Sequence, residues 1–308
     1  MVNTFKAKDG EFFVDSKKLR AFLRAKELGS LTGAAEELNY TQSGMTHMMN
    51  ALEKELGITL LHRGRNGIEL TDAATQLLPQ IKDFVAAAEA LENSTAQRSG
   101  RSTPRIRVGA YTSMAQHWLP EIVRRFRQDF AAADIAIRME GITELYSLLK
   151  DNELDCIFVS HHPELLNGGE EWLPLRNDEL VAVLPEDYPV KGGLFSVHGF
   201  EGAEFLMPAS DFALDINPVF SAGGVHPKIR RTNLDDPAII SMVEHGLGLS
   251  ILSELVMRGR QDKVIALPLT PPAYRELGIA YSSERSGSEL LRSFIRYARA
   301  TVMEIYRT

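Results

Sequence analysis

The sequence predicts an α/β chain in which a small all-α N-terminal part is joined by one long helix to a larger α/β part. Three observations carry this. Apolar residues recur at three- and four-residue steps between residues 17 and 56, and a strong hairpin signal, Asn66-Gly67, follows them. The stretch from Thr71 to Arg98 keeps a helical period with no glycine in it. From residue 105 onward strand-like and helix-like runs alternate, the order expected of a largely parallel sheet.

In the N-terminal part, Leu19, Phe22, Leu23, Ala25 and Leu28 place an amphipathic helix over 17–28. Gly29 ends it, being the residue type that enters the left-handed region at least steric cost. Ser30 or Thr32 caps a second helix over 32–38, with Leu31 left to close the corner, and Ala34 and Ala35 are small enough for a neighbouring helix to approach closely. Asn39-Tyr40 make the next turn, and Thr41 caps a third helix over 42–56. On that helix Met45, Met49, Leu52 and Leu56 form one stripe, while Gln42, Ser43, Thr46, His47, Asn50 and Lys54 form another. The polar stripe is mostly neutral hydrogen-bonding side chains, the type that reads base edges in a major groove. Taken alone it reads rather as the outer face of an ordinary surface helix.

The next segment favours the first reading. Leu60-Leu61-His62 and Ile68-Glu69-Leu70 read as two strands around the Asn66-Gly67 turn, with Arg63 and Arg65 at the tip, in reach of phosphates or a narrow minor groove. Three helices followed by a basic hairpin make a winged helix-turn-helix. The expected DNA contacts are therefore Gln42, Ser43, Thr46, His47 and Asn50 on the third helix and Arg63 and Arg65 on the wing.

These residues resemble the LysR-type transcriptional regulators. The resemblance runs through Leu19-x-x-Phe22, Gly29-Ser30, Ala34-Ala35-Glu36-x-Leu38, Thr41-Gln42-Ser43, Leu52-Glu53, Leu56-Gly57, Leu60-Leu61, Arg63 and Leu70-Thr71, in the family's order and spacing. The chain departs from the pattern at three places. His47 and Asn50 stand where Arg or Lys is common, His62 replaces the aromatic before the wing arginine, and Ala74 replaces the glycine after the threonine. The resemblance implies sequence-specific DNA binding by a dimer or tetramer, a small-molecule effector, and RNA polymerase as a further partner. Residues 16–71 are the DNA-binding domain on this reading. Residues 1–15 form an N-terminal extension, in which either Lys6 and Lys8 touch the DNA backbone or Phe12-Phe13-Val14 pack on the first helix.

From Thr71 the chain carries Leu77, Leu78, Ile81, Phe84, Val85, Ala88 and Leu91 at helical spacing. A helix this long, over 72–98, with a narrow apolar stripe pairs with another helix. The resemblance implies that it is the linker helix through which subunits dimerise. Pro79 lies too deep for a first-turn proline and marks a kink or a restart. Ser99-Gly100-Arg101-Ser102-Thr103-Pro104 is a hinge, residues 99–104.

In the C-terminal part, strands are expected at 105–110, 135–139, 154–159, 180–184, 204–207, 228–232, 249–252, 264–267 and 277–281. Helices are expected after the first strand (Trp118 to Phe130), near 143–150, over 235–245, and from Leu290 to Val302. This order is similar to the family's effector-binding domain, which resembles periplasmic solute-binding proteins. It implies two α/β lobes within 105–308, lobe one 105–161 plus 266–308 and lobe two 162–265, joined by two crossover strands. Parallel strands deliver their ends to the crevice between such lobes. The expected effector contacts there are Tyr111, Thr112, Ser113, Thr143, His161, Ser210 and Asn233, with His161 and Asn233 foremost for specificity. Backbone amides and the hydroxyls of Ser113 and Thr143 suit a carboxylate, and an aromatic acid is a second candidate. Helix capping or hinge hydrogen bonding accounts for each of these residues singly.

Composition agrees. The net charge of −7 is unevenly spread: residues 17–71 hold eight Lys or Arg against six Asp or Glu, and residues 101–308 hold 22 against 28. So mildly basic a reader needs two subunits for useful affinity. The single cysteine, Cys156, lies in an apolar run and reads as an inert core thiol. His161-His162 lacks further ligands at metal spacing, and Gly246-Leu247-Gly248 lacks the phosphate-binding fingerprint. No nucleophile elbow, HExxH or P-loop is present, so no enzyme, metal or cofactor is expected. The absence of a leader-like or membrane-spanning apolar run points to a cytoplasmic, non-membrane protein. The competing function is a solute-binding or ligand-sensing module without DNA binding.

Overall fold

The computed structural model describes residues 15–64, 67–98, 104–190, 192–208, 212–283 and 288–307. The expectations for Lys6, Lys8, Phe12-Phe13-Val14, Arg65, Asn66, residues 99–103 and Ser210 fall outside these. The chain divides into two compact units, Met1–Ser102 and Thr103–Thr308.

In the first unit, α1 (Ser16–Leu28) begins at Asp15, whose side chain accepts from the Lys17 amide, and ends at Gly29 with φ 61°. Ser30 caps α2 (Leu31–Glu37) by accepting from the Gly33 amide at 3.1 Å. Leu31 is thus the first helical residue rather than the corner. Asn39 turns the chain with φ 58°, and Thr41 caps α3 (Gln42–Leu56) through the Gly44 amide. Each cap satisfies an amide that the helix start leaves without a partner and contributes about 1 kcal/mol. The three helices close on Leu19, Phe22, Ala25, Ala34, Ala35, Met45, Met49 and Leu52, all buried.

The hairpin follows as β1 (Leu61–Gly64) and β2 (Gly67–Leu70), in register Leu61 to Leu70 and Gly64 to Gly67. Its backbone presses on the end of α1. The Ile68 amide donates to the Gly29 carbonyl at 3.1 Å, and a Cβ on Gly67 would lie 2.5 Å from that same oxygen. Thr71 then caps α4 (Asp72–Arg98) by accepting from the Ala74 amide while donating to the Thr59 carbonyl. Pro79 sits inside one continuous helix, without a restart.

The second unit is built on two long antiparallel strands, β6 (Glu170–Pro185) and β11 (Val264–Ser282), paired from Val264–Pro185 to Ser282–Glu170. The C-terminal half of β11 continues into β5 (Cys156–Ser160), β3 (Arg105–Ala110) and β4 (Asp134–Met139), whereas the C-terminal half of β6 pairs with β10 (Ser250–Ser253). The sheet order is therefore β10-β6-β11-β5-β3-β4, with β7 (Phe195–Ser196) beside β11, and two lobes share the same two crossover strands. A separate parallel pair, β8 (Glu204–Met207) and β9 (Lys228–Arg231), belongs to the second lobe.

Two differences from the sequence reading follow from this. Val264–Leu267 and Leu277–Tyr281 are parts of one strand, and Leu180–Leu184 is half of another. The β6–β11 ladder shifts register between Pro268 and Ala273, where Pro271 and Pro272 have no amide to donate. That interruption is what made one strand read as two.

Helices cover both faces. On the first lobe are α5 (Thr112–His117), α6 (Leu119–Asp129), α7 (Ile142–Lys150) and the final helix of the chain. On the second are α8 (Ala213–Gly223), which the sequence reading did not anticipate, α9 (Asp236–Glu244) and α10 (Glu254–Met257). The final helix, α11 (Glu289–Ile305), packs on α6 through edge-on aromatic contacts of Phe126 with Phe294 and Tyr297 at 5.2 and 5.6 Å. In the second lobe, Phe200, Phe205 and Phe220 form a comparable cluster. Cys156 is buried in β5, and burial pushes its thiol well above the usual range, so it stays protonated and inert.

Candidate functional site

The first unit presents its polar stripe on α3. Gln42, Ser43, His47 and Asn50 are exposed, and Thr46 is half-buried beside them. Met45, Met49 and Leu52 on the opposite side anchor the helix in the core, so the stripe faces outward by the 3.6-residue period. Arg63 does not project freely from the wing. Its Nη2 donates to Asn50 Oδ1 at 2.6 Å, and Glu53 lies 3.9 Å away. Glu53 in turn accepts from the amides of Leu60 and Leu61 at 2.7 and 3.0 Å. Helix and wing therefore form one rigid polar face.

Helix α4 has two apolar faces. Ala74, Ile81 and Val85 are buried in the helix-turn-helix core, and Arg20 on α1 makes a two-pronged ion pair with Glu92. On another face Leu77, Phe84 and Leu91 are 38%, 44% and 67% exposed. They recur every seven residues, the repeat of a helix seam.

In the second unit the most unusual chemistry lies where β6 and β11 cross between the lobes. Arg275 on β11 is 3% exposed. It donates through Nε to Asp178 on β6 at 2.9 Å and through Nη2 to the hydroxyls of Ser113 and Ser253 at 3.0 and 2.8 Å. Burial opposes its charge, but the carboxylates of Asp178 and Asp215 outweigh this and hold its pKa above the ordinary range. Among the described residues its Nη1 has no hydrogen-bond partner, and it lies 3.7 Å from Asp215. The rings of Phe212 and Tyr111 lie 5.1 and 5.9 Å from the guanidinium and stack on each other at 6.1 Å.

A second set joins the same cluster. Asp215 accepts from the Ser160 hydroxyl at 3.2 Å and pairs with His162 Nε2 at 3.1 Å, while Glu164 lies 3.2 Å from the other ring nitrogen. Burial opposes the imidazolium, yet Asp215 and Glu164 prevail and raise the His162 pKa above 6.5. Tyr146 donates to the Ser160 carbonyl and accepts from the His162 amide, and burial pushes its phenol up to about 12. Asp236, at the start of α9, is 7% exposed. Burial raises its pKa, and only the field of Arg275 and Arg260 opposes this. The cluster thus draws on Ser113 of α5, Ser160 of β5 and His162 just beyond it, Asp215 of α8, Ser253 at the end of β10, and the two crossover strands.

Of the effector contacts expected from sequence, Tyr111 and Ser113 are in this cluster and Thr112 lies between them. Thr143 and Asn233 are exposed, at the start of α7 and between β9 and α9. His161 is elsewhere. Its ring stacks on Trp172 at 4.5 Å, and its Nδ1 meets Glu276, which also accepts from the Trp172 indole. Neighbouring residues of an extended segment point to opposite sides, so it is His162 that turns toward Asp215. Sequence reasoning missed Arg275, Asp178, Asp215, Asp236, His162 and Ser253. The one signal available was a lone arginine just before the apolar run Leu277–Tyr281. A mixed-charge hollow bounded by Glu186, Asp187, Glu244, His245 and Lys263 lies at the opposite end of α9 from Asp236.

Among the described residues no helix is long and apolar enough to cross a membrane, and no group of three or more metal-ligating side chains converges.

Residues 16–75 match the family model described as bacterial regulatory helix-turn-helix protein, lysR family, and residues 99–302 match that of the LysR substrate binding domain. The chain is 26% identical over 288 residues to the uncharacterized HTH-type transcriptional regulator YvbU of Bacillus subtilis (strain 168), covering 92% of this chain and 97% of that protein. The fold is similar to full-length CbnR, a LysR family transcriptional regulator solved with its target DNA. There the TM-score is 0.67 at 20% identity, over 94% of this chain and 100% of that one. It is also similar to the CcmR regulatory domain of Synechocystis PCC6803 in complex with 2-PG, with a TM-score of 0.59 at 19% identity, over 65% of this chain and 97% of that one.

Proposed function

This chain belongs to the LysR-type family of DNA-binding transcriptional regulators, and on that premise we propose how its parts share the work. It is a regulator with an effector-binding domain, not an enzyme. Residues 16–71 read DNA, 72–98 hold subunits together, 99–104 are the hinge and 105–308 sense the effector. Within the last, lobe one is 105–161 with 266–308, and lobe two is 162–265. A protein that reads DNA works in the cytoplasm, where bacterial DNA is.

The observation that carries the DNA assignment is the outward polar stripe of Gln42, Ser43, Thr46, His47 and Asn50, braced by Arg63. Such side chains make donor and acceptor contacts with base edges, and Arg63 with Arg65 holds the adjacent backbone. The exposed Leu77, Phe84 and Leu91 support pairing of α4 with the same helix of a second copy, giving a dimer or a dimer of dimers. Two recognition helices then enter successive major grooves of a partly palindromic site. RNA polymerase is the further partner where the bound regulator activates.

The effector sits between the lobes against Tyr111, Thr112, Ser113, Thr143, Ser210 and Asn233, with Arg275 at its centre and His162 in the place first given to His161. An anionic ligand, a carboxylate or aromatic acid, is supported by the buried Arg275 and the flanking rings of Tyr111 and Phe212. By altering the balance between lobe arrangements it alters the spacing of the DNA-reading heads.

Footprinting of the dimer on DNA upstream of its own gene tests this. A protected, salt-sensitive site whose affinity falls at least about tenfold in Ser43→Ala with Arg63→Ala is the expected result. An unaltered affinity in that double variant would remove the site assignment.

A further inference from the structure

The buried cluster already holds a carboxylate where an anionic ligand would sit, and that carboxylate belongs to the chain itself. Asp215 lies in the first turn of α8, on the second lobe. Its Oδ2 accepts at 3.2 Å from the hydroxyl of Ser160, the last residue of β5 on the first lobe, and its Oδ1 meets His162 Nε2 at 3.1 Å. His162 is itself fixed to the first lobe, because its amide donates to the hydroxyl of Tyr146 on α7. Three residues before Asp215, Phe212 stacks on Tyr111 at the head of α5. One ring and one carboxylate of the second lobe thus dock the start of α8 on the first.

The carboxylate fits its seat imperfectly. Arg275 Nη1, the third donor there, is 3.7 Å from Asp215 Oδ2, beyond hydrogen-bond distance, and among the described residues it makes no hydrogen bond. Arg275 is nearly fully buried, so this unmet donor costs stability that a better-placed acceptor recovers. Asp215 is held back by its helix, which Phe212, Ala213 and Ile216 anchor in the core. A free carboxylate has no such tether and can meet hydroxyl, imidazole and guanidinium together. Beside Asp215 it would be repelled, like charge against like, so it has to take the place of Asp215.

We propose that Asp215 is a built-in stand-in for the anionic group of the effector. A carboxylate effector binds by exchange, taking Ser160, His162 and Arg275 and releasing α8 from the first lobe. This rests on the effector-binding reading above and gives it a mechanism. Asp178 stays out of the exchange: it accepts from Arg275 Nε at 2.9 Å and from the Leu255 amide at 3.0 Å, and so keeps the guanidinium charged and in place when Asp215 leaves. Two states follow, one with α8 tethered and one with the ligand seated. The ligand makes its contacts only in the second, which is the differential affinity that shifts an equilibrium.

The test uses the full-length protein in thermal melts, with sodium formate and sodium acetate as probes against sodium chloride at equal ionic strength. Asp215→Ala removes the internal carboxylate; Asp215→Asn removes its charge and keeps its size. The expected result is chemical rescue. Asp215→Ala melts below the parent, and formate or acetate raises its melting temperature saturably and by more than chloride does. The probe binds this variant about tenfold or more tightly than the parent, where it has to displace Asp215. Asp215→Asn falls between the two, and it decides the matter if Asp215→Ala does not fold. Adding Ser160→Ala to either variant is expected to remove most of the gain, which places the probe in this seat. A folded variant with no gain over the parent, or a gain that survives Ser160→Ala, would overturn the proposal. A small molecule that alters the DNA footprint yet binds parent and Asp215 variants alike overturns the exchange and leaves the effector reading standing. Rescue by formate or acetate, with no small carboxylate altering the footprint, upholds the seat, and it is then the effector reading that fails.

Discussion

Arg63 Nη2 donates to Asn50 Oδ1 at 2.6 Å, so the first strand of the wing is tied directly to the outward polar stripe of α3. The bond uses the only acceptor of the Asn50 side chain and leaves its amide as a donor. A bidentate contact to adenine needs both functions at once. While the tie holds, Arg63 occupies one of the two lone pairs of Oδ1, and a bidentate contact would have to use the other.

The tie makes the two residues one energetic unit. Asn50→Ala, Arg63→Ala and the double variant, measured by fluorescence anisotropy on the footprinted site, are expected to show a coupling of about 0.5–3 kcal/mol. Strictly additive losses would mean that the bond is broken in the DNA complex.

The wing is also held from behind. Gly67 has φ 119° and lies against the Gly29 carbonyl, so Gly67→Ala meets both a strained backbone and a 2.5 Å approach. We expect a loss of about 1–3 kcal/mol in urea unfolding, together with weaker DNA binding. A variant as stable as the parent would show that the hairpin readily re-seats.

Dimerisation through α4 predicts a separation of effects. Phe84→Arg places a charge in the exposed seam while Ile81 and Val85 on the buried face are untouched. Sedimentation is expected to give monomers of native helix content, with DNA affinity reduced on the order of a hundredfold through loss of the second reading head. Monomers that bind DNA as tightly as the parent would exclude this role for the helix.

His162 predicts a pH dependence of definite sign. Its folded pKa lies above 6.5, so folding favours the protonated ring. The resulting stability is fully present below the unfolded value near 6.5 and is lost as pH rises through the higher folded value. The melting temperature of His162→Asn should therefore fall furthest below that of the parent in mildly acidic buffer, and the gap should narrow through and above neutrality. A gap that widens with pH would show that His162 is held neutral.

Local chemistry made the first unit legible. Asp15, Ser30, Thr41 and Thr71 cap helices from positions next to them, Gly29 and Asn39 turn the chain by their own φ angles, and the helical period alone separates the core stripe of α3 from its polar stripe. Each of these interactions spans a few residues, so the residues in order suffice to state it. The second unit was decided elsewhere. β6 and β11 carry Arg176-Asn177-Asp178-Glu179 and Pro271-Pro272 in mid-strand, which erase the period that marks a strand; pairing with each other on both sides of that interruption is what makes them strands. The choice of His162 over His161 depends on which side of the chain meets Asp215, 53 residues away. Arg275 and Asp178 are 97 residues apart, and only the crossing of two strands brings them together out of water. The sequence by itself determined a DNA-reading head and its long helix, because their bonds are local. The proposed effector site is a set of charges whose burial and pairing exist only in the folded chain, and only the tertiary structure decided it.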